Sequence, residues 1–180
     1  LKIEIVKEIK ETSELPNKVI LLASLVKGEK MDLVLQKATE LGVSEIVLVE
    51  TERTIVKIKD ESKLERFRKI LKEAAEQSKR SVIPTLNKVI SLNKLKDIDA
   101  DVKLIAYEGE KGSSKSFNDA LKQIKTDSSV AVLIGPEGGF SEKEVEQANK
   151  LGFASVGLGK RILRAETAVF YALSVIANHL

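Results

Sequence analysis

A series of short apolar runs, alternating with stretches of helical spacing, constrains this chain more than any other feature. The runs fall at 19–25, 44–50, 102–107, 130–134 and 153–158. Several are apolar nearly throughout, which suits strands covered on both faces. Between them, apolar residues recur at helical intervals. Met31, Val34, Leu35, Ala38 and Leu41 form one such stripe, and Leu64, Phe67, Ile70, Leu71, Ala74 and Ala75 another. Phe117, Ala120, Leu121 and Ile124 mark a third, Val145, Ala148 and Leu151 a fourth, and Ala168, Val169, Leu173, Ile176 and Ala177 a last, strongly apolar one. Strands alternating with helices predict an α/β fold: a mostly parallel sheet covered by helices on both faces. With 180 residues and 43% hydrophobic content, the chain can bury one substantial core.

Local signals place the element ends. Gly42 and Gly152 suit helix C-termini. Ser141 and Glu144 have capping-box spacing, and Phe140 and Val145 have hydrophobic-staple spacing. A long helix is expected over 62–79, an extended segment over 82–90 and a short helix over 92–95. The polar end Glu76-Gln77-Ser78-Lys79-Arg80 reads either as compensation of the helix dipole or as an edge that contacts phosphate. Residues 111–115 read as a flexible, basic, small-residue loop. Residues 1–10 alternate apolar and charged side chains in a strand-like way, and 11–17 form a polar linker with Pro16. Residues 1–17 are therefore expected to be the remnant of an N-terminal domain and its linker, and 18–180 the main domain. A start at Leu1 rather than Met points the same way.

Composition removes several chemistries. The chain has no cysteine and a single histidine, His179, beside its end. Thiolate nucleophiles, zinc sites and a histidine base are thus nearly excluded, and no metal is expected. Catalysis must rest on carboxylates, Arg, Lys, Tyr, hydroxyls or backbone groups. A net charge of +3 permits a nucleic-acid partner without requiring one. No run reaches the ~18 apolar residues of a membrane span, and no signal peptide is visible. A cytoplasmic protein without a membrane partner is the expectation.

Two loops draw the functional reading. Gly135-Pro136-Glu137-Gly138-Gly139 follows the run at 130–134, and Gly157-Leu158-Gly159-Lys160-Arg161-Ile162-Leu163-Arg164-Ala165-Glu166-Thr167 follows the run at 153–158. In a parallel sheet both emerge at the same edge, where α/β folds bind ligands. Glycines there let backbone approach a ligand and read the polar edge of a nucleobase, with Leu158, Ile162 and Leu163 as apolar walls. Tyr107 and Glu108 end another strand and suit a third wall. The G-x-G-x-x-G and P-loop patterns are absent, and Glu137 would repel phosphate. A ligand with a neutral base and a cation fits better. Taken alone, the first loop reads equally well as a tight turn. The second is longer and more charged than a plain connection needs.

These loops carry a resemblance. Ile134-Gly135-Pro136-Glu137-Gly138-Gly139-Phe140-Ser141, together with the run from Leu158 through Gly159-Lys160-Arg161-Ile162-Leu163-Arg164-Ala165-Glu166-Thr167 to Ala168, resembles the bacterial 16S ribosomal RNA uracil-N3 methyltransferases of the SPOUT superfamily. Lys27-Gly28-Glu29-Lys30-Met31, Gln36-Lys37, Glu40-Leu41-Gly42-Val43, Glu52-Arg53, Glu76-Gln77-Ser78, Arg80 and Pro84 also match. The resemblance implies a C-terminal trefoil knot, homodimers and an N-terminal RNA-binding barrel, of which this chain is expected to carry no more than residues 1–9. It also implies S-adenosylmethionine as cofactor, and methylation of uridine N3 in small-subunit ribosomal RNA or the assembled small subunit. The cofactor would meet Tyr107, Glu108, Ile134, Gly135, Pro136, Glu137, Gly138, Gly139, Leu158, Gly159, Ile162, Leu163, Arg164, Thr167 and Ala168. Lys79 and Lys160 depart from the family pattern, which often has a small residue and a proline there.

The reaction needs the methyl donor in line with N3 and the N3 proton removed. Arg164 is the first candidate to stabilise charge on the uracil. Glu166 is a candidate to take the proton or to orient Arg164, and also suits a plain helix N-terminus. Glu137 reads either as a balance for the sulfonium charge or as a loop holder. Lys27, Lys30, Arg53, Gln77, Lys79 and Arg80 are the candidate RNA contacts. Two other classes stay open at this point: a non-catalytic RNA-binding module and a different nucleotide-binding α/β enzyme.

Overall fold

The computed structural model describes residues 3–7, 12–58, 60–110 and 117–180. Seven strands form one sheet: β1 (Lys18–Ser24), β2 (Glu45–Glu50), β3 (Thr85–Leu86), β4 (Ile90–Ser91), β5 (Val102–Ala106), β6 (Ser129–Ile134) and β7 (Ala154–Val156). Their order is β3-β2-β1-β6-β5-β7, with β4 also paired to β2. Among the described residues every strand pairing is parallel. The helices are α1 (Lys30–Glu40), α2 (Glu61–Gln77), α3 (Phe117–Leu121), α4 (Glu142–Lys150) and α5 (Ala165–His179), with short 3-10 turns at Leu92–Asp97 and Glu108–Glu110.

The continuous apolar runs are central strands because both faces are buried. In β1, Val19, Leu21 and Ala23 join one core while Ile20 and Leu22 join the other; β6 divides in the same way, with Val130, Val132 and Ile134 against Ala131 and Leu133. This is the two-residue period of a strand acting on an all-apolar run. The first core is closed by the apolar stripes of α1, α2, α3 and α5. The second is closed by α4 and the turn at Leu92–Asp97.

Helix ends follow the local signals. Asp60 caps α2 by accepting from the Lys63 N–H, so the helix starts one residue before the expected Ser62 and stops at Gln77. Ser141 and Glu144 form the reciprocal capping box, and Phe140 and Val145 are buried in the same cluster. The extended segment at 82–90 becomes the two-residue strands β3 and β4 rather than one strand. Asn87 separates them; its N–H bonds to the Ile46 carbonyl and its side chain to Glu45.

The N-terminal expectations change. Ile3, Ile5 and Val6 are almost fully exposed, and residues 3–7 take no regular structure. A strand needs a partner edge, and among the described residues none pairs with them; residues 1, 2 and 8–11 lie outside the described residues. Residues 13–17, expected as linker, are instead anchored. Ser13 donates to the Lys79 carbonyl. Leu15 packs over Gly42 so closely that a Cβ there would lie 2.7 Å from the leucine side chain. Asn17, buried, donates to the carbonyls of Lys125 and Ser128. The basic loop expected at 111–115 lies outside the described residues.

The carboxyl end of the sheet positions the site. β7 sits beyond β5 at one edge, yet α5, which follows it, packs against α1 and β6. Residues 157–164 therefore travel back over the strand ends to reach α5.

Candidate functional site

A cavity of about 450 Å³ opens where β5, β6 and β7 end, within the size range of small-molecule sites. Three strand exits line it: Ala106, Tyr107 and Glu108 after β5, residues 134–140 at and after β6, and most of 157–165 after β7, with Ala168 of α5 and Lys30 of α1 completing the wall. The structure thus brings together Tyr107, Glu108, Ile134, Gly135, Pro136, Glu137, Gly138, Gly139, Leu158, Gly159, Ile162, Leu163, Arg164 and Ala168. Thr167 is a correction. Ala165 and Ala168 sit on one face of α5, three residues apart, and line the cavity. Thr167 lies off that face by helical geometry and is exposed.

The glycines in the β6 loop are needed for different reasons. A Cβ at Gly135 would lie 3.0 Å from the Phe140 ring, which is buried beneath the loop. Gly138 packs on the Arg53 stem, with a Cβ there 3.2 Å from the Arg53 Cβ. Gly139 has φ +65°, a conformation glycine adopts without strain. Its N–H closes the turn on the Pro136 carbonyl at 2.9 Å. In the β7 loop, among the described residues, no N–H of 158–163 donates to another backbone group. That loop presents polar backbone at the cavity wall.

Glu137 holds the β6 loop to the β1 exit. Its Oε1 accepts from the Lys27 N–H and from Lys30 Nζ, each at 3.3 Å. Burial pushes the Glu137 carboxyl up, but the backbone N–H groups of Glu137 and Lys27 and the Lys30 ammonium outweigh it. The group is held below the usual carboxylate range.

Arg164 is the N-cap residue of α5 and lines the cavity with its side chain exposed. Among the described residues no hydrogen bond or ion pair engages its guanidinium, so Glu166 does not orient it here. Glu166, in the first turn of α5, is not part of the cavity lining. Its Oε2 is buried and has no hydrogen-bond partner among the described residues.

The candidate RNA contacts separate into two groups. Lys27, Lys30 and Arg53 gather around the β6 loop, Arg53 donating from Nη1 to the Gly138 carbonyl at 2.7 Å. Arg161, which the sequence did not single out as a contact, joins Lys30 and Arg164 in the cavity wall. Gln77, Lys79 and Arg80 lie at the other end of the sheet, where Arg80 donates to the carbonyl of Val43, just before β2. Strand β1 has 7 residues, so the two ends are ~20 Å apart. Arg80 is a second correction. Its side chain is 3% exposed and is held by Glu14 and by the carbonyls of Thr39 and Val43. It anchors the fold and presents no surface to phosphate.

In the sequence Glu144 shows only its capping-box spacing. Its Oε2 accepts from the Ser141 N–H at 2.9 Å, and its Oε1 from the Glu52 N–H at 2.7 Å. The second partner is 92 positions away, so no local pattern could signal it. Among the described residues no cluster of His, Cys, Asp and Glu could hold a metal ion, and no helix is long and apolar enough to cross a membrane.

Comparison with known proteins gives consistent matches. The family model for an RNA methyltransferase domain matches residues 13–177. A ribosomal RNA small subunit methyltransferase E of Bacillus subtilis is 40% identical over 176 residues, covering 93% of this chain and 68% of that protein. Its counterpart in Mesomycoplasma hyopneumoniae is 38% identical, covering 96% of this chain and 75% of that protein. Among solved structures, a ribosomal RNA small subunit methyltransferase E from Neisseria gonorrhoeae, bound to S-adenosyl methionine, superposes with a TM-score of 0.81 at 35% identity. It covers 92% of this chain and 68% of that one.

Proposed function

The chain belongs to the RNA methyltransferase family, and on that premise we propose that it transfers a methyl group from S-adenosylmethionine to N3 of a uridine in 16S ribosomal RNA. As an activity class it is an S-adenosylmethionine-dependent methyltransferase of small-subunit ribosomal RNA. The observation that carries the finer reading is the cavity between the β6 and β7 loops, with backbone on two sides and apolar side chains between.

The residues fit the cofactor. Among the described residues the N–H groups of 158–163 donate to no other backbone group, which suits the polar edge of adenine, and Leu158, Ile162 and Leu163 supply apolar walls. Gly135, Gly138 and Gly139 keep the opposite wall low. When bound, S-adenosylmethionine supplies an electrophilic methyl on a cationic sulfur. The chain's own residues do the rest. Arg164, which lines the cavity with no protein partner among the described residues, stabilises the negative charge that develops on the uracil as N3 loses its proton. Glu166, in the first turn of α5 two residues on from Arg164, is the candidate to take that proton. Lys27, Lys30 and Arg161 provide positive charge at the rim for the RNA backbone.

Family resemblance and topology support two further readings. The return of 157–164 across the strand ends, from the β7 edge to a helix packed on α1, is the path a C-terminal trefoil knot would take. A homodimer is supported by Tyr171 of α5 and Ile162 beside the cavity, 41% and 68% exposed. Such a protein works where ribosomes are assembled, in the cytoplasm.

Methyl transfer to undermethylated small subunits, with the modified nucleoside identified, tests the reading. N3-methyluridine is the expected product; another methylated nucleoside would reject the assignment.

A further inference from the structure

Two side chains tie the turn after β2 to the loop after β6, across the intervening strand β1. We propose that residues 51–54 form a brace for the cofactor loop, with Glu144 and Arg53 as its positioning residues. The inference rests on the reading of 135–140 as a cofactor wall. Glu144 is buried, at 7% exposure, and each carboxylate oxygen accepts one backbone N–H: that of Ser141 in the loop and that of Glu52 in the turn. A buried carboxylate retained between two donors on different chain segments fixes their separation. Arg53 makes the second tie, donating to the Gly138 carbonyl while its stem packs on Gly138.

The turn is stiff enough to act as a brace. The Thr54 N–H bonds to the Thr51 carbonyl, the Thr51 N–H bonds to Thr54 Oγ1, and the two hydroxyls lie 2.8 Å apart. Thr51 itself is buried. A polar turn closed on itself and set on the core moves little, so groups bonded to it are held still. The loop it holds is short of internal bonds: Gly139 to Pro136 is its one closing backbone bond among the described residues. Glu137 secures the same loop to the β1 exit, but through longer contacts. This arrangement also reassigns Arg53. Its Nη1 is engaged by the Gly138 carbonyl at the surface, so its main effect is assigned to the cofactor wall and not to RNA.

Glu144→Gln and Arg53→Met separate the ties. Glutamine has one acceptor oxygen for two N–H donors, so it keeps the capping box or the Glu52 bond but not both. Methionine keeps stem packing on Gly138 and deletes the donor. Three readouts apply to the whole chain: amide hydrogen exchange, S-adenosylmethionine affinity by calorimetry, and affinity for a small-subunit ribosomal RNA fragment. The expected result is faster exchange confined to 135–141 in both variants and cofactor affinity weakened by about tenfold, the effect of one lost charge-assisted hydrogen bond. The RNA affinity of Arg53→Met stays within about twofold, and its melting temperature changes little. Unchanged exchange in Arg53→Met overturns the brace, as does lost RNA affinity with intact cofactor binding. If the unsubstituted protein binds no S-adenosylmethionine, the cofactor reading fails, while exchange still decides the brace. If Glu144→Gln does not fold, Arg53→Met carries the test alone.

Discussion

Glu14 and Arg80, 66 positions apart, clasp one another at the amino end of the sheet. The Glu14 carboxylate receives two guanidinium N–H groups and the backbone N–H groups of Ser81 and Val82. Arg80 also satisfies the carbonyls of Thr39 and Val43. The pair therefore joins the segment before β1, the end of α1 and the end of α2. Arg80→Ala leaves two carbonyls without donors and a carboxylate without its cation. With Glu14 still 21% exposed, the expected loss is about 2–4 kcal/mol, read from urea unfolding. RNA affinity of the folded protein should not change.

The same clasp sets a pH dependence. Burial raises the Glu14 carboxyl, but hydrogen bonds and charge from Arg80, then the N–H groups of Val82 and Ser81, outweigh it and hold the group below its ordinary value of 4.5. A depressed folded-state value means the unfolded chain binds the proton more readily. Stability from this site is complete above pH 4.5 and falls as pH drops below that value. Urea midpoints of the protein and of Glu14→Gln should converge as pH falls below 4.5. Parallel curves would show that the clasp does not titrate.

The core and the cavity were legible because their signals are local. The apolar runs became strands whose alternate residues enter two cores, as Val19 and Ile20 do. Glycine spacing placed both loops at one edge, and the structure makes one cavity of them. What stayed hidden is long-range. The sequence shows Arg80 as a cation near a helix end, and only the fold reveals Glu14 beside it. Glu144 shows as a capping residue, while its second partner, Glu52, is reached across β1. The charge of Gln77-Ser78-Lys79-Arg80 pointed to RNA, but parallel topology puts that corner at the end of the sheet away from the cavity.

Lys79 is the residue just past the end of α2 and has φ +58°. The Arg80 N–H reaches back to the Ala75 carbonyl, as in a Schellman ending, where glycine is preferred. A lysine there pays a steric penalty of roughly 1–2 kcal/mol, partly offset because glycine is freer when unfolded. Lys79→Gly should therefore gain about 0.5–1 kcal/mol, seen as a rise of roughly 2 °C in Tm. RNA binding measured against salt distinguishes a second role: a lost phosphate contact would reduce the slope by about 1.

Arg164 and Glu166 stand two residues apart at the start of α5 and should respond differently to substitution. Arg164 is exposed at the cavity with no protein partner among the described residues, so Arg164→Ala removes little from the fold. If it stabilises charge on the uracil, turnover should fall by about 10²–10³-fold with Tm nearly unchanged. Among the described residues Glu166 keeps Oε2 buried without a donor, an arrangement that costs stability and is more often met where a site needs it. Glu166→Gln keeps the side-chain shape and gives up only a modest interaction with the helix dipole. Stability should stay within about 1 kcal/mol, while methyl transfer at saturating cofactor falls by about 10²-fold or more. The lost rate should return partly as pH rises, because a uracil that ionises in solution no longer needs the carboxylate. A loss of stability with turnover intact would make Glu166 a helix-terminal group and move proton removal to solvent.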